Sequence, residues 1–370
     1  MEPHLPCAGS LVRVTPTPVD APVAPSSLSH VAARVEARLG PFLDGEIERW
    51  SSFDAALRDP LESLRGLVMA HAKRIRPTFC HWGSIAAGGT DGDPRVTDAG
   101  AALELLQAFA LIHDDVMDGS AVRRGRRTAH LTFADAHRDG TWNGEPRRYG
   151  EGVAILIGDL AHVYADQLIV DAPRAARVVW DTLRIELNSG QYLDLHGTAC
   201  GESDPTRTRR IARYKSGKYT VERPLHLGAA IAGGLDRLDG VLTAYGEPLG
   251  EAFQLRDDLL GAFGETAHTG KPVGDDLREG KPTTLLAEGL ARADRHARAV
   301  LEGAGASDLD DAGVARIQET LVAVGAAAAI ESRVDALADE ATAALDPRLL
   351  GREVVDALTE LAWYVAHRDA

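Results

Sequence analysis

GAALELLQAFALIHDDVMDG, residues 100–119, is the stretch from which the rest of the chain can be read. Between Gly100 and Ile112 the only polar side chains are Glu104 and Gln107. A helix that is apolar on every face must be surrounded by other helices, so this segment predicts the inside of a bundle. It then runs into Asp114, Asp115 and Asp118 and stops at Gly119. Asp114 and Asp118 share one helix face, with Asp115 about 100° round. Carboxylates in a last turn sit at the negative end of the helix dipole and also repel one another. Hard divalent cations resolve that conflict, and carboxylate oxygens are the ligands magnesium prefers.

The arrangement returns in AFQLRDDLLGAFG, residues 252–264, where Asp257 and Asp258 follow the apolar Leu249, Ala252 and Phe253. One acidic helix end is ordinarily a solvated surface. Two of them, each behind an apolar helix, suggest carboxylates facing across a cavity, with an anion bridged to both by magnesium. Basic residues gather around the same segments. Lys73, Arg74 and Arg76 lie in HAKRIRP (71–77), and Arg123 and Arg124 follow the first acidic cluster. Lys215 and Lys218 lie in YKSGKYT (214–220), while Lys271 and Lys281 sit in a charged loop.

Outside these motifs the chain reads as all-α and one domain. Long Ala/Leu/Glu/Arg-rich stretches begin near residue 30 and run to 370, separated by Gly40-Pro41, Gly88-Gly89 and Asp204-Pro205. Residues 1–29 stand apart as a flexible Pro-rich tail, with six of the eighteen prolines in the first 25 positions. Residues 138–152 and 264–284 read as polar, Gly-rich loops. The formal net charge is −15, which repels nucleic acid and anionic membranes unless a local basic pocket inverts it. Cys7, Cys80 and Cys200 are too few and too scattered for a disulfide framework or a zinc site. No run approaches the ~18 apolar residues of a membrane span, and no basic-apolar leader opens the chain. The expectation is a cytoplasmic protein with no membrane span and no nucleic-acid partner.

In order, HAKRIRP, LIHDDVMDGSAVRRG, GQYLDL (190–195), YKSG, FQLRDDLLG and GKPVGDDLREGK give the chain a strong resemblance to the trans-isoprenyl diphosphate synthases, the polyprenyl synthetase family. The resemblance implies a large single-domain helical bundle around a central cavity, working as a homodimer. It also implies condensation of isopentenyl diphosphate with an allylic prenyl diphosphate and release of pyrophosphate. By motif position, Asp114, Asp118 and Asp257 bind magnesium, with Asp115 and Asp258 beside them. The resemblance brings three such ions, which manganese can replace. Arg123, Lys215, Lys271 and Lys281 match positions that hold the allylic diphosphate. Lys73, Arg76 and Arg124 match the isopentenyl diphosphate pocket, where Gln107 takes the His or Gln position. Ser216 and Gln254 complete the matched set.

Chain length is implied the same way. Phe109 and Ala110 are the fifth and fourth residues before Asp114, and an aromatic followed by a small residue there goes with a twenty-carbon product. On this reading Phe109 is the cavity floor and geranylgeranyl diphosphate the product, with farnesyl or longer polyprenyl products as alternatives. Two departures stand out. His71-Ala72 replaces a glycine pair, and Gly261 replaces the third acid of the second cluster, leaving two carboxylates. Together they keep open a weakened enzyme or a non-catalytic subunit of a heteromeric synthase. A class I terpene cyclase is the other alternative, although a one-substrate enzyme has no need of HAKRIRP.

Overall fold

The computed structural model describes residues 24–70, 72–264 and 273–368. It is almost wholly helical. The first part comprises α1 (Ser26–Phe53), α2 (Arg58–Val68), α3 (Ile75–Ala86), α4 (Pro94–Asp118), α5 (Ala129–Asp139), α6 (Pro146–Ile169) and α7 (Arg174–Cys200). After these come α8 (Pro205–Ala212), a π-helical segment (Arg213–Glu222), α9 (Arg223–Ile231) and α10 (Leu235–Phe263). Shorter helices follow, and the last spans Arg352–His367. Among the described residues the only strands are the two-residue arms of a hairpin, Val122–Arg123 and Arg126–Arg127.

The helix that decides the reading does lie inside. Asp93 caps α4 by accepting from the Arg95 N–H, Pro94 opens it, and Gly119 ends it in the left-handed region at φ 68°. Leu103, Leu105 and Leu106 are fully buried, as α4 packs against α1, α3, α6 and α9. Two boundaries differ from expectation. Helix α1 begins at Ser26 with Leu28 already buried, so the expected division at residue 29 falls inside it. The expected loop over 138–152 shrinks, because Glu145 and Pro146 start α6 and Glu145 caps two N–H groups. In the second expected loop, residues 265–272 lie outside the described residues, and Asp275–Glu279 is a helix.

Three glycines bring the π-helical segment close to its neighbours. A Cβ on Gly190 of α7 would stand 2.6 Å from the Lys215 Cα, and one on Gly250 of α10 would stand 2.6 Å from the Gly217 oxygen. Only glycine permits that approach. It carries Lys215 and Ser216 to the cavity wall. Helix α6 is long and apolar enough by composition to cross a membrane, yet its Ala154, Ile157, Ala161 and Ala165 are buried in the bundle. Its outer face leaves Leu156 and Val163 exposed, with Val170 just past its end continuing the seven-residue spacing, and α7 leaves Val178, Ile185 and Tyr192 the same way.

His226 gives the fold a pH dependence. It is 1% exposed, next to Arg223 Nη1 at 3.1 Å and Thr243 Oγ1 at 3.2 Å. Burial, reinforced by the Arg223 charge, pulls its pKa from 6.5 down to about 4. The unfolded chain therefore binds a proton that the folded chain refuses. The stabilisation is complete above pH 6.5 and is lost as the pH falls toward 4. Denaturant titrations at pH 7 and pH 5 should differ by about 1–2 kcal/mol through this residue, and His226→Gln should flatten that part of the slope. Equal slopes for the two proteins would refute the assignment.

Candidate active site

A cavity of about 310 Å³ opens between α4, α7, α8, the π-helical segment and α10. Asp114 faces it from α4 and Asp257 and Asp258 from α10, so the two acidic helix ends share one space. Gln107, Ala110 and Leu111 lie along the same face of α4, and Arg76, Lys215, Ser216, Gln254 and Lys281 line the remainder. The walls between them are apolar, with Leu187, Ile211 and Ala212.

Cations answer the crowded carboxylates of α4. Asp114 Oδ1 accepts from Gln191 Nε2 at 2.8 Å and Lys215 Nζ at 3.1 Å, with Arg123 Nη2 3.7 Å from its other oxygen. Burial works against its charge, but Lys215, Lys281 and Arg123 outweigh burial and hold its pKa below the ordinary carboxylate range. Asp118, one turn on, pairs with Lys281 at 2.8 Å. Burial and the neighbouring Asp114 charge raise its pKa all the same. Lys215 also reaches Asp194 at 2.7 Å, and Lys281 reaches Glu279 at 2.9 Å.

The second acidic end is built differently. Asp258 is buried, accepting from Gln254 Nε2 at 2.9 Å and from the Thr284 N–H at 2.9 Å, and burial pushes its pKa up to about 7. Asp257 is more open and is held at 2.5 Å by Arg368, the residue that ends the C-terminal helix, with its guanidinium over the Phe253 ring. Gln254 thus works first as a support for Asp258.

The basic residues divide into two groups. Arg76 lies 4.4 Å over the Tyr219 ring and donates to Thr220 Oγ1 at 2.9 Å. Arg124 donates to the Leu67 carbonyl at 3.0 Å, and burial followed by repulsion from Arg74, Arg76 and Arg123 pulls its pKa down. Such a gathering of like charges favours an anion between them. Arg74 turns away through a left-handed backbone at φ 51° to pair with buried Glu104, so it is structural. Lys73 lies 5.1 Å over the Tyr364 ring and does not line the cavity. Lys271 and His71 lie outside the described residues.

Three expectations are corrected. Phe109 does not line the cavity. It packs edge-on to His113 at 4.7 Å and stacks on His162 of α6 at 4.8 Å, because Gln107, Ala110, Leu111 and Asp114 already define the open face of α4. Asp115 turns from the cavity as well, toward Arg123, which reaches it at 2.8 and 2.5 Å. Arg123 and Arg124 therefore line a second space of about 380 Å³ behind α4, with Ile112 and Phe133. Gln191, Asp194, Asp276, Glu279 and Arg368 were not assigned from sequence. Gln191 and Asp194 stood within GQYLDL at helical spacing, whereas Arg368 carried no local signal.

The donors fit magnesium. They are carboxylate oxygens and no nitrogen or sulfur, on two helix ends. Among the described residues no three acids converge as a closed cage. Magnesium takes one or two carboxylates and fills its shell with water and substrate phosphates, so an open pair of acidic ends suits it.

Comparison with known proteins agrees with this geometry. The family model for polyprenyl synthetase matches residues 59–321. The chain belongs to that family and is a trans-prenyltransferase. A geranylfarnesyl diphosphate synthase of Aeropyrum pernix is 32% identical over 277 residues, covering 72% of this chain and 80% of that protein. A geranylgeranyl diphosphate synthase of Mycobacterium tuberculosis is 32% identical over 274 residues, covering 70% and 71%. The crystal structure of a geranylgeranyl pyrophosphate synthase from Corynebacterium glutamicum, complexed with isoprenyl diphosphate and magnesium, is 38% identical. It superposes with a TM-score of 0.87 over 92% of this chain and 99% of that one.

Proposed function

We propose that the chain is a magnesium-dependent geranylgeranyl diphosphate synthase. It joins isopentenyl diphosphate head to tail with dimethylallyl, geranyl and farnesyl diphosphates, releasing pyrophosphate each time. The observation that carries this reading is the pair of acidic helix ends facing one cavity, with Lys215 and Lys281 at the same wall. Magnesium ions on Asp114, Asp118 and Asp257, three in all and replaceable by manganese, would neutralise charge on the departing diphosphate. Lys215 and Lys281 hold that diphosphate with fixed positive charge, and Arg123 backs them from behind α4, 3.7 Å from the Asp114 carboxylate. Of the residues matched to the isopentenyl diphosphate pocket, Arg76 is the one at the cavity wall, with Arg124 behind α4 and Lys73 outside; holding that diphosphate makes the encounter with the allylic cation effectively intramolecular. Leu111, Leu187 and Ile211 keep water from the cation. The released pyrophosphate takes the final proton, since among the described residues no histidine lines the cavity.

Two further parts of the reading rest on the surface and the thiols. The exposed seven-residue stripes on α6 and α7 are suited to pairing with a second copy, which makes the active form a homodimer. Cys80 and Cys200 are free, in keeping with a reducing cytoplasm.

The division of the basic groups can be tested by steady-state kinetics. Arg76→Ala should raise the KM for isopentenyl diphosphate about 10- to 100-fold, the worth of a charge-assisted contact. Lys215→Ala should instead lower kcat and weaken the allylic substrate. A rise in only the allylic KM for both variants would overturn the division.

A further inference from the structure

Lys218 is the lysine of YKSGKYT that does not face the cavity. It stands three residues after Lys215, and in an α-helix residues three apart share a face. Yet Lys215, Ser216 and Tyr219 line the cavity and Lys218 does not. The π-helical segment accounts for the difference. Its wider turn swings Lys218 away from Lys215 and toward α7.

There Lys218 enters a buried group of four charges. Its Nζ lies 3.2 Å from Glu222 Oε1 and 3.4 Å from Glu186 Oε1 of α7. Arg223 grips both oxygens of Glu186, at 2.6 and 2.7 Å, and its Nη1 lies 3.3 Å from Glu222. Lys218 and Glu222 are buried, and the second Glu222 oxygen has no hydrogen-bond partner among the described residues. Buried charges with an oxygen left over add little stability. The best-attested use of such groups is to fix one register of a helix against its neighbours.

That register matters twice at the cavity. On one side of Lys218 stands Lys215, which reaches Asp114 at 3.1 Å and Asp194 at 2.7 Å. On the other side stand Tyr219 and Thr220, which hold Arg76 by its ring face and its guanidinium edge. We propose that Lys218 is a positioning residue for both substrates. Drawn toward Glu186 and Glu222, it holds the wide turn that aims Lys215 at one diphosphate and, through Tyr219 and Thr220, aims Arg76 at the other. This role rests on the division of the basic groups above.

The test is steady-state kinetics of the full chain, with a KM for each substrate. Lys218→Met keeps a long side chain and removes the charge. It should raise both KM values about 10-fold or more and lower kcat, within the cost of misplacing a substrate-holding group by about 1 Å. A residue needed only for folding would reduce the amount of active enzyme, which lowers the apparent kcat and leaves both KM values alone. Lys218→Met combined with Glu222→Met removes one charge of each sign and leaves Arg223 paired with Glu186. Its unfolding midpoint should return toward that of the parent, while both KM values stay raised. A parent-like KM for either substrate in either variant overturns the proposal, and the double variant decides if Lys218→Met fails to fold. Arg76→Ala and Lys215→Ala are run alongside. If each leaves its own substrate's KM at the parent value, the division of the basic groups falls, and the role of Lys218 with it.

Discussion

Asp114→Ala is expected to lower kcat by about 10³-fold at saturating substrates and magnesium, with the fold retained. Asp114 is the point at which α4, α7 and the π-helical segment meet, since its carboxylate accepts from both Gln191 and Lys215. Removing it takes away a magnesium ligand and turns Lys215 toward Asp194 alone. Some stability is lost as well, because Lys215, Lys281 and Arg123, which hold the Asp114 carboxylate ionised against burial, lose a counter-charge. A loss of turnover in protein that still unfolds cooperatively above the assay temperature separates a metal ligand from an anion on which folding itself depends. Asp114→Asn, which keeps the shape, should lose almost as much. Turnover within tenfold of the parent would remove Asp114 from the metal site.

Ala110→Phe is expected to change the main product from twenty carbons to fifteen. Ala110 lies on the cavity face of α4, one turn up from Asp114, or about 6 Å along the axis. With Phe109 before it, a ring placed there makes the aromatic pair that in the resembled family goes with a fifteen-carbon product. Phe109→Ala acts differently from what the sequence suggests. Its ring lies behind that wall against His113 and His162, so truncation costs packing and reaches the tail only through its neighbours. Product analysis by mass spectrometry compares the two directly. A larger shift from Phe109→Ala than from Ala110→Phe would put the floor of the cavity back at Phe109.

Phe109 also shows where reading the sequence stops. An amphipathic helix declares its inner face, but α4 is apolar all round, so no period distinguishes residues that line a cavity from residues that fill the core. The ends of α4 and α10 were legible because aspartates behind apolar runs demand cations. The directions of Arg74 and Arg76 were not. A left-handed backbone at Arg74 resets the phase of the chain, sending one arginine to Glu104 and the other to Tyr219. The π-helical segment was hidden for a similar reason, since its wider turn leaves no mark in the residue pattern of YKSGKYT. Asp276 and Arg368 reach the site from far along the chain. Asp276 stood within GKPVGDDLREGK without a role of its own, and the packing at Gly261 and at Phe253 is what places the two.

The central claim is the elongation reaction itself, and one measurement tests it most directly. The purified chain is incubated with magnesium, isopentenyl diphosphate and, in turn, dimethylallyl, geranyl or farnesyl diphosphate, and the products are read by mass spectrometry. The account predicts consumption of isopentenyl diphosphate with every starter, convergence on geranylgeranyl diphosphate, and no product in excess EDTA. An allylic diphosphate converted while isopentenyl diphosphate is left untouched, or full turnover in EDTA, would contradict it.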